Sequence, residues 1–161
     1  MTHYGLEPLG ATFTAKVHGL NTAAEIDEVT ARKLVDDLHA YRVLVIPSQK
    51  LSHEAHVRFS RVFGALDTNV HPRYTAPGYP EILIISNIFR DGQPIGLYDG
   101  DSEEEWHADH SWKPQISSAS LLYAEIAAKI GGQTRFADTT AAYADLPEEL
   151  RSRIENLTAI H

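Results

Sequence analysis

The stretch EWHADHSW, residues 105–112, places two histidines and one aspartate within four consecutive residues, between two tryptophans. On an extended strand the side chains of His107 and Asp109 would point to the same face. An imidazole nitrogen and a carboxylate oxygen form a ligand set that suits Fe(II), and less specifically Mn, Co or Zn. Two histidines and one carboxylate on one face of an octahedron leave three positions for substrate and oxygen. The stretch therefore indicates a metal site and raises the question of its remaining ligands.

Two other kinds of metal site could be formed by the same part of the chain. His107 and His110 stand three residues apart and could both bind zinc on a helix, although Pro114 and the preceding loop disfavour a regular helix. The acidic residues 99–105 suggest calcium, but they lack the glycine and the final glutamate that an EF-hand loop requires. A zinc-dependent hydrolase that uses His107, Asp109 and His110 stays open as an alternative.

The composition limits the class of partner. The 161 residues predict a single domain, and 22 acidic against 14 basic residues give a formal net charge of -8. That charge argues against nucleic acid or an anionic membrane as a main partner. The absence of cysteine excludes disulfides and thiolate ligands and agrees with a cytoplasmic location. The N-terminus does not resemble a signal peptide, and no apolar run is long enough to span a membrane.

The hydrophobic pattern upstream of the stretch predicts an alternation of strands and helices. Short strands are expected within residues 4–20, and a capping box at Thr22–Glu25 predicts a helix with Val29 and Leu34 on its buried face. The remaining upstream predictions are a buried strand at Val43–Pro47, a helix from the cap Ser52 to Phe63 that ends at Gly64, a buried strand at Ile82–Ser86 and a long loop at Asp91–Glu104. A loop of that length is typical of a lid that closes over substrate.

The pattern downstream of the stretch predicts further strands and two short helices. Strands are expected at Ala119–Glu125 and at Thr134–Ala137, with a glycine turn before the second one. Asp138 or Thr139 would cap one helix, and Pro147 would begin another at its first turn.

Five separated segments, in the same order and with matching spacing, resemble the taurine dioxygenase-like (TauD/TfdA) family of Fe(II)- and 2-oxoglutarate-dependent oxygenases. They are EPLGATFTAKVHGL (7–20), YRVLVIPSQKLSHEAHVRFSRVFGAL (41–66), VHPRY (70–74), WHADHSW (106–112) and GGQTRFADTTAAYADLPEELR (131–151). The resemblance runs over nearly the whole chain, residues 1–161. It implies an α+β fold, a double-stranded β-helix (jelly-roll, cupin-like) with flanking helices. It also implies a dioxygenase that oxidises a C–H bond of a small organic substrate with O2 and releases succinate and CO2.

The resemblance assigns roles to individual residues. The family's His-x-Asp pair supplies two of the three iron ligands and corresponds to His107 and Asp109. The family's GG-x-T turn places a threonine on a carboxylate of 2-oxoglutarate, which implies that role for Thr134. The resemblance leaves His110 as a neighbour of the site or a residue that lines the pocket.

Four residues are implied as substrate contacts. His71 and Tyr74 correspond to a segment that contacts substrate in the taurine enzymes, and Asn87, at the end of a predicted strand, is expected to line the pocket. Glu103 replaces what would be a polar amide near the substrate, which disfavours taurine itself. An amine-bearing or neutral substrate is expected instead.

The family's remaining site residues have no counterpart in this sequence. The third iron ligand is a histidine far downstream, and His161 comes too early to be that residue. No arginine matches the one that anchors 2-oxoglutarate, since alternation points Arg135 away from Thr134. The chain is therefore expected to be the N-terminal portion of the oxygenase, with a barrel incomplete at its C-terminus. A truncation completed by another chain, as in a homo-oligomer, and an inactive binding module on the same fold remain the alternatives.

Overall fold

The computed structural model describes residues 4–10, 13–68, 72–97 and 106–158. The chain divides into two compact units, Met1–Ala108 and Asp109–His161. Within the described ranges no helix is long and apolar enough to cross a membrane.

A three-stranded sheet opens the first unit and confirms the strands predicted within residues 4–20. Strands β1 (Gly5–Pro8) and β2 (Ala15–His18) pair antiparallel, and β2 pairs in parallel with β3 (Leu44–Val45). The side chains of β2 alternate in burial, because Ala15 and Val17 are almost fully buried while the residues between and after them are not. This is the pattern of a strand with one face on a core.

Helix α1 (Glu28–Tyr41) begins later than the sequence pattern predicts. Its cap is Asp27, whose carboxylate accepts the backbone N–H of Thr30 at 2.9 Å and the Thr30 hydroxyl at 2.7 Å. The capping box predicted at Thr22–Glu25 is therefore wrong. Thr22 is instead buried, and both its N–H and its hydroxyl donate to Gln49 Oε1.

The later start of α1 changes which side chains reach the core. Leu34 is fully buried, as predicted, but Val29 in the first turn is 61% exposed. A tertiary bond between residues 27 positions apart thus overrides a local capping pattern, since it satisfies the buried polar groups of Thr22.

Helix α2 (His53–Ser60) agrees with the sequence. Ser52 accepts the N–H of Ala55 at its start, and a 3-10 turn (Arg61–Phe63) continues it to Gly64, whose φ of 138° lies in a region that side chains rarely adopt. Val57 and Phe59 in this helix are both buried.

The two predicted buried strands form in part: the first is shorter than expected, the second begins three residues earlier, and both are more exposed. Strand β3 keeps only Leu44–Val45, and β5 (Tyr79–Leu83) pairs with β4 (Thr75–Ala76) through an irregular register. Val45 is 41% and Ile85 is 68% exposed. The sheets among the described residues have only two or three strands, so these segments lie at or beyond sheet edges, where one side lacks a neighbouring strand.

The predicted loop at Asp91–Glu104 begins as ordered structure, so the loop assignment is wrong for its first residues. Strands β6 (Phe89–Arg90) and β7 (Gln93–Pro94) form a hairpin whose turn, Asp91-Gly92, has φ values of 51° and 73°. Two residues with positive φ are typical of the tight type I′ hairpin turn, which matches the twist of the flanking strands. Residues 98–104 lie outside the described ranges, as does the lid prediction that rested on them.

After the hairpin the chain returns along the end of β5. The Leu97 N–H donates to the Ile84 carbonyl at 2.7 Å, and the Ser86 N–H donates to the Leu97 carbonyl at 3.0 Å. A Cβ on Gly96 would lie 2.6 Å from the Ile84 oxygen, so this close approach requires glycine.

The second unit contains the two predicted helices. Asp138 caps α3 (Thr139–Ala144) by accepting two backbone N–H groups, and α4 (Glu148–Ile154) begins directly after Pro147. The strands predicted at Ala119–Glu125 and Thr134–Ala137 are wrong, because these segments form no ladder with any described residue. A strand needs a partner for its backbone groups. The described sheets therefore support an α+β arrangement and do not confirm the double-stranded β-helix.

Candidate functional site

The two predicted metal ligands lie in irregular backbone rather than on a strand. His107 and Asp109 are both exposed, and the chain enters a turn at Asp109. The boundary between the two units falls between Ala108 and Asp109, so the two residues belong to different units.

The Asp109 side chain is held by a serine eleven residues further along. Ser120 Oγ donates to Asp109 Oδ2 at 2.5 Å, and both residues lie in the second unit. The next residue, His110, forms a similar contact inside this one, with 2.8 Å between its Nδ1 and Ser117 Oγ. Residues 109–120, which we call the Asp109–Ser120 loop, are thus closed by two nested side-chain hydrogen bonds.

His110 turns the chain directly after Asp109. Its φ of 55° is uncommon for a residue with a side chain, and its carbonyl accepts the Lys113 N–H at 2.9 Å. Its ring meets the Trp112 ring edge to face, with centroids 5.4 Å apart. These contacts make His110 a structural neighbour of Asp109. Among the described residues no group of three His, Asp or Glu side chains could hold a metal, so the three-ligand zinc site finds no support.

Thr134 follows a turn that the sequence predicts correctly. Gly131 and Gly132 have φ values of 75° and 70°, which side chains rarely adopt, and Thr134 is exposed two residues later. Its hydroxyl is not hydrogen-bonded to another described residue.

Two of the four predicted substrate contacts lie in the described part of the first unit. Tyr74 ends a 3-10 turn (Pro72–Tyr74), is half-buried, and has the Arg73 guanidinium 5.5 Å from its ring centre. Its carbonyl accepts the Ile84 N–H at 2.8 Å. Ile84 directly follows β5, and Asn87, which is exposed, lies three residues after Ile84. Tyr74, through its hydrogen bond to Ile84, and Asn87, through the chain, are therefore both connected to the end of β5. His71 and Glu103 lie outside the described residues.

Sequence reasoning missed Ser117 and Ser120. Both occur in the segment ISSAS (116–120), where three serines near a metal motif are the only signal. Serine is too common on surfaces for this pattern to identify a partner across eleven residues.

The donor set that the chain offers fits iron as two of its ligands. His107 supplies an imidazole and Asp109 a carboxylate, a combination that suits Fe(II). The Ser120 hydroxyl that donates to the Asp109 carboxylate is itself neutral.

Comparison with known proteins finds similarity to solved structures and to curated dioxygenases and synthases. The fold is similar to the crystal structure of AAD-2 in complex with Mn(II) and N-oxalylglycine, with a TM-score of 0.64 and 22% identity over 94% of this chain and 49% of that chain. Among curated proteins, the chain is 34% identical to a (S)-phenoxypropionate/alpha-ketoglutarate-dioxygenase of Sphingobium herbicidovorans, over 98% of this chain and 53% of the relative. It is also 34% identical to a pentalenolactone F synthase of Streptomyces arenae, over 94% and 51%.

The family model for the taurine catabolism dioxygenase TauD, TfdA family matches residues 5–161. The chain therefore belongs to that family, which confirms the resemblance inferred from its motifs. It spans about half the length of the curated relatives that it matches.

Proposed function

We propose that this chain is part of an Fe(II)- and 2-oxoglutarate-dependent dioxygenase that oxidises a C–H bond of a small organic substrate. In the reaction, substrate, O2 and 2-oxoglutarate give oxidised substrate, succinate and CO2. The observation that carries the proposal is the His107-x-Asp109 pair within a chain whose residues 5–161 match the family. The named relatives include an alpha-ketoglutarate-dioxygenase, which supports 2-oxoglutarate as the co-substrate.

His107 and Asp109 would hold the iron. Residues two apart in a chain keep their Cα atoms within about 7 Å, which allows both side chains to reach one ion. Bound iron with 2-oxoglutarate supplies the oxidising chemistry that side chains lack.

Thr134 would donate its hydroxyl to a carboxylate of 2-oxoglutarate. The supporting features are its exposure and its position after the Gly131-Gly132 turn, whose residues carry no side chains that would obstruct the approach of a ligand. Tyr74 and Asn87 would contact the substrate from the end of β5, together with His71 and Glu103.

Similarity to known relatives supports the type of reaction but does not select one class of substrate. A (S)-phenoxypropionate dioxygenase and a pentalenolactone F synthase are equally similar to this chain, so identity does not select between them. Glu103 near the substrate would favour an amine-bearing or neutral molecule over a sulfonate, because like charges in one pocket repel. A cytoplasmic location and a homo-oligomeric state stay predictions.

Conversion of 2-oxoglutarate to succinate by the full-length protein tests the proposal. The assay contains Fe(II) and O2 with a panel of small amines, neutral molecules, carboxylates and sulfonates. We expect succinate from the wild type, none above background from His107→Ala or Asp109→Ala, and wild-type rates from His39→Ala, an exposed histidine on α1. Succinate formation that persists in both ligand variants would contradict the assignment.

A further inference from the structure

We propose that Ser120 is a positioning residue that fixes the Asp109 carboxylate for metal binding. This inference rests on the proposed function, because it concerns one of the proposed iron ligands. It adds a residue that neither the motif nor the family resemblance assigns.

The geometry of the contact is that of a hydrogen bond from a hydroxyl to a carboxylate. Ser120 Oγ donates to Asp109 Oδ2 at 2.5 Å, within the range for such a pair. The bond joins residues eleven apart in the chain, and neither residue lies in a helix or strand. The Asp109 side chain is therefore positioned by a side-chain hydrogen bond rather than by the backbone of a sheet.

An exposed ligand must be ordered before it can bind a metal. Asp109 is exposed, and each hydrogen bond to its carboxylate removes rotamers that the side chain would otherwise lose on binding. A hydroxyl that donates to one oxygen restricts the side chain before the metal arrives, and a carboxylate that coordinates through one oxygen can accept this bond on the other. Preorganisation of this kind raises affinity by lowering the entropy cost of binding.

A second hydrogen bond supports the one between Ser120 and Asp109. The contact between His110 and Ser117 lies inside the Asp109–Ser120 loop, and the Trp112 ring meets the His110 ring edge to face. His110 also holds a positive φ, which is typical of residues that surrounding structure constrains at functional sites. The loop is thus ordered by its polar side chains, and Asp109 is at one end of it.

The chemistry of the donor suits a ligand of a divalent cation. A lysine or arginine in the place of Ser120 would pair with the carboxylate and compete with the metal for its charge. A serine hydroxyl is neutral and also fixes the orientation of the carboxylate. The expected consequence is a tighter metal complex whose affinity depends on the hydroxyl itself rather than on the volume of the side chain.

The test is a titration of the full-length protein with Mn(II) in the presence of 2-oxoglutarate, with free Mn(II) measured by electron paramagnetic resonance. Ser120→Thr and Ser120→Val have nearly the same shape and differ in the hydroxyl. We expect Thr to bind within about 3-fold of the wild type and Val to bind about 10-fold more weakly, as for loss of a hydrogen bond to a metal ligand. Ser118→Ala, which alters an exposed serine two residues away, serves as the matched control and should bind like the wild type.

Equal Mn(II) affinity in the Thr and Val variants would overturn the proposal. So would a Ser117→Ala variant that loses as much affinity as Ser120→Val, because closure of the loop would then be the cause rather than orientation of Asp109. Unfolding midpoints of all variants should agree, which separates a local effect from a loss of folding. A wild type that binds no Mn(II) contradicts the proposed function itself, and is distinguished by that result from a failure of Ser120 alone.

Discussion

The two units of this chain are ordered in different ways. In the first unit, the described buried residues extend from Tyr4 to Ala76 and include Leu34, Val17 and Phe59 at the centre. In the second unit no described residue is buried, and Leu122, Ile126 and Ile130 are 71%, 76% and 95% exposed. Among the described contacts, burial of apolar surface is found in the first unit, whereas those of the second unit are local hydrogen bonds, turns and helix caps.

This difference matters because the proposed site residues occur in both units. Asp109 and Thr134 belong to the second unit, whereas His107 and Tyr74 belong to the first. Apolar burial contributes about 25 cal/mol per Å², so a unit without buried residues gains little from this source. We therefore expect substitutions in the first unit to change global stability and those in the second to act locally.

The largest effect should follow from Leu34→Ala. Leu34 is fully buried, and truncation of such a residue costs about 2–5 kcal/mol of the free energy of unfolding. Leu122→Ala is the matched control, with the same chemical change at a 71% exposed position, and should stay within about 0.5 kcal/mol. Urea denaturation of the 161-residue chain, followed by circular dichroism, measures both. Equal losses would remove the contrast between the units.

A smaller loss is expected for Gly96→Ala. The added Cβ would lie 2.6 Å from the Ile84 oxygen and 2.8 Å from its Cγ2, so the bond between the Leu97 N–H and that oxygen must distort. Overpacking of this kind costs roughly 1–3 kcal/mol. Gly5→Ala, where a Cβ meets nothing within 4 Å, should be nearly neutral in the same urea experiment. A neutral Gly96→Ala would show that the order of the first unit ends before residue 96.

Removal of a helix cap should have a different effect in each unit: a loss of about 1 kcal/mol in the free energy of unfolding in the first, and a local change in the second. Asp27→Ala uncaps α1, which carries Leu34, and should lower the free energy of unfolding by about that amount. Asp138→Ala uncaps α3, which has no buried residue, and should instead speed amide hydrogen exchange at Thr140 and Ala141. A shift of the global unfolding midpoint in Asp138→Ala would contradict the local role assigned to the second unit.

An effect of similar size concerns Tyr4, and it depends on pH. Burial, followed by the hydrogen bond to Asp37 and the negative charge of that carboxylate, raises the pKa of the Tyr4 phenol far above its usual value. A phenol whose pKa is raised by folding contributes full stability below about pH 10, the unfolded value, and loses that contribution as the pH rises further. Tyr4→Phe should cost about 1 kcal/mol near neutral pH and weaken the decline above pH 10. Identical pH profiles for the two proteins would exclude Tyr4 as the cause of the decline.

Sequence patterns predicted the local features of this chain well. Ser52 and Asp138 cap the helices assigned to them, since a cap needs only residues within one turn. The sequence pattern placed the start of α1 at Thr22, whereas the helix is capped by Asp27. The reason is not local, because Thr22 bonds to Gln49, which lies 27 positions further along the chain. The strand at Ala119–Glu125 failed because a strand is defined by a partner that its own sequence does not reveal.

The candidate site shows the same limit. The spacing of His107 and Asp109 is visible in eight residues, and the family match over residues 5–161 places it in context. Ser120 is not visible in this way, because only the folded loop brings its hydroxyl to Asp109.

Iron binding by His107 and Asp109 is tested most directly by the visible absorption of the full-length protein under anaerobic conditions, with Fe(II) and 2-oxoglutarate added. We expect a metal-to-ligand charge-transfer band in the wild type and in His39→Ala, and no band in His107→Ala or Asp109→Ala. No band in the wild type at saturating Fe(II) and 2-oxoglutarate, or a full band in both ligand variants, would contradict it.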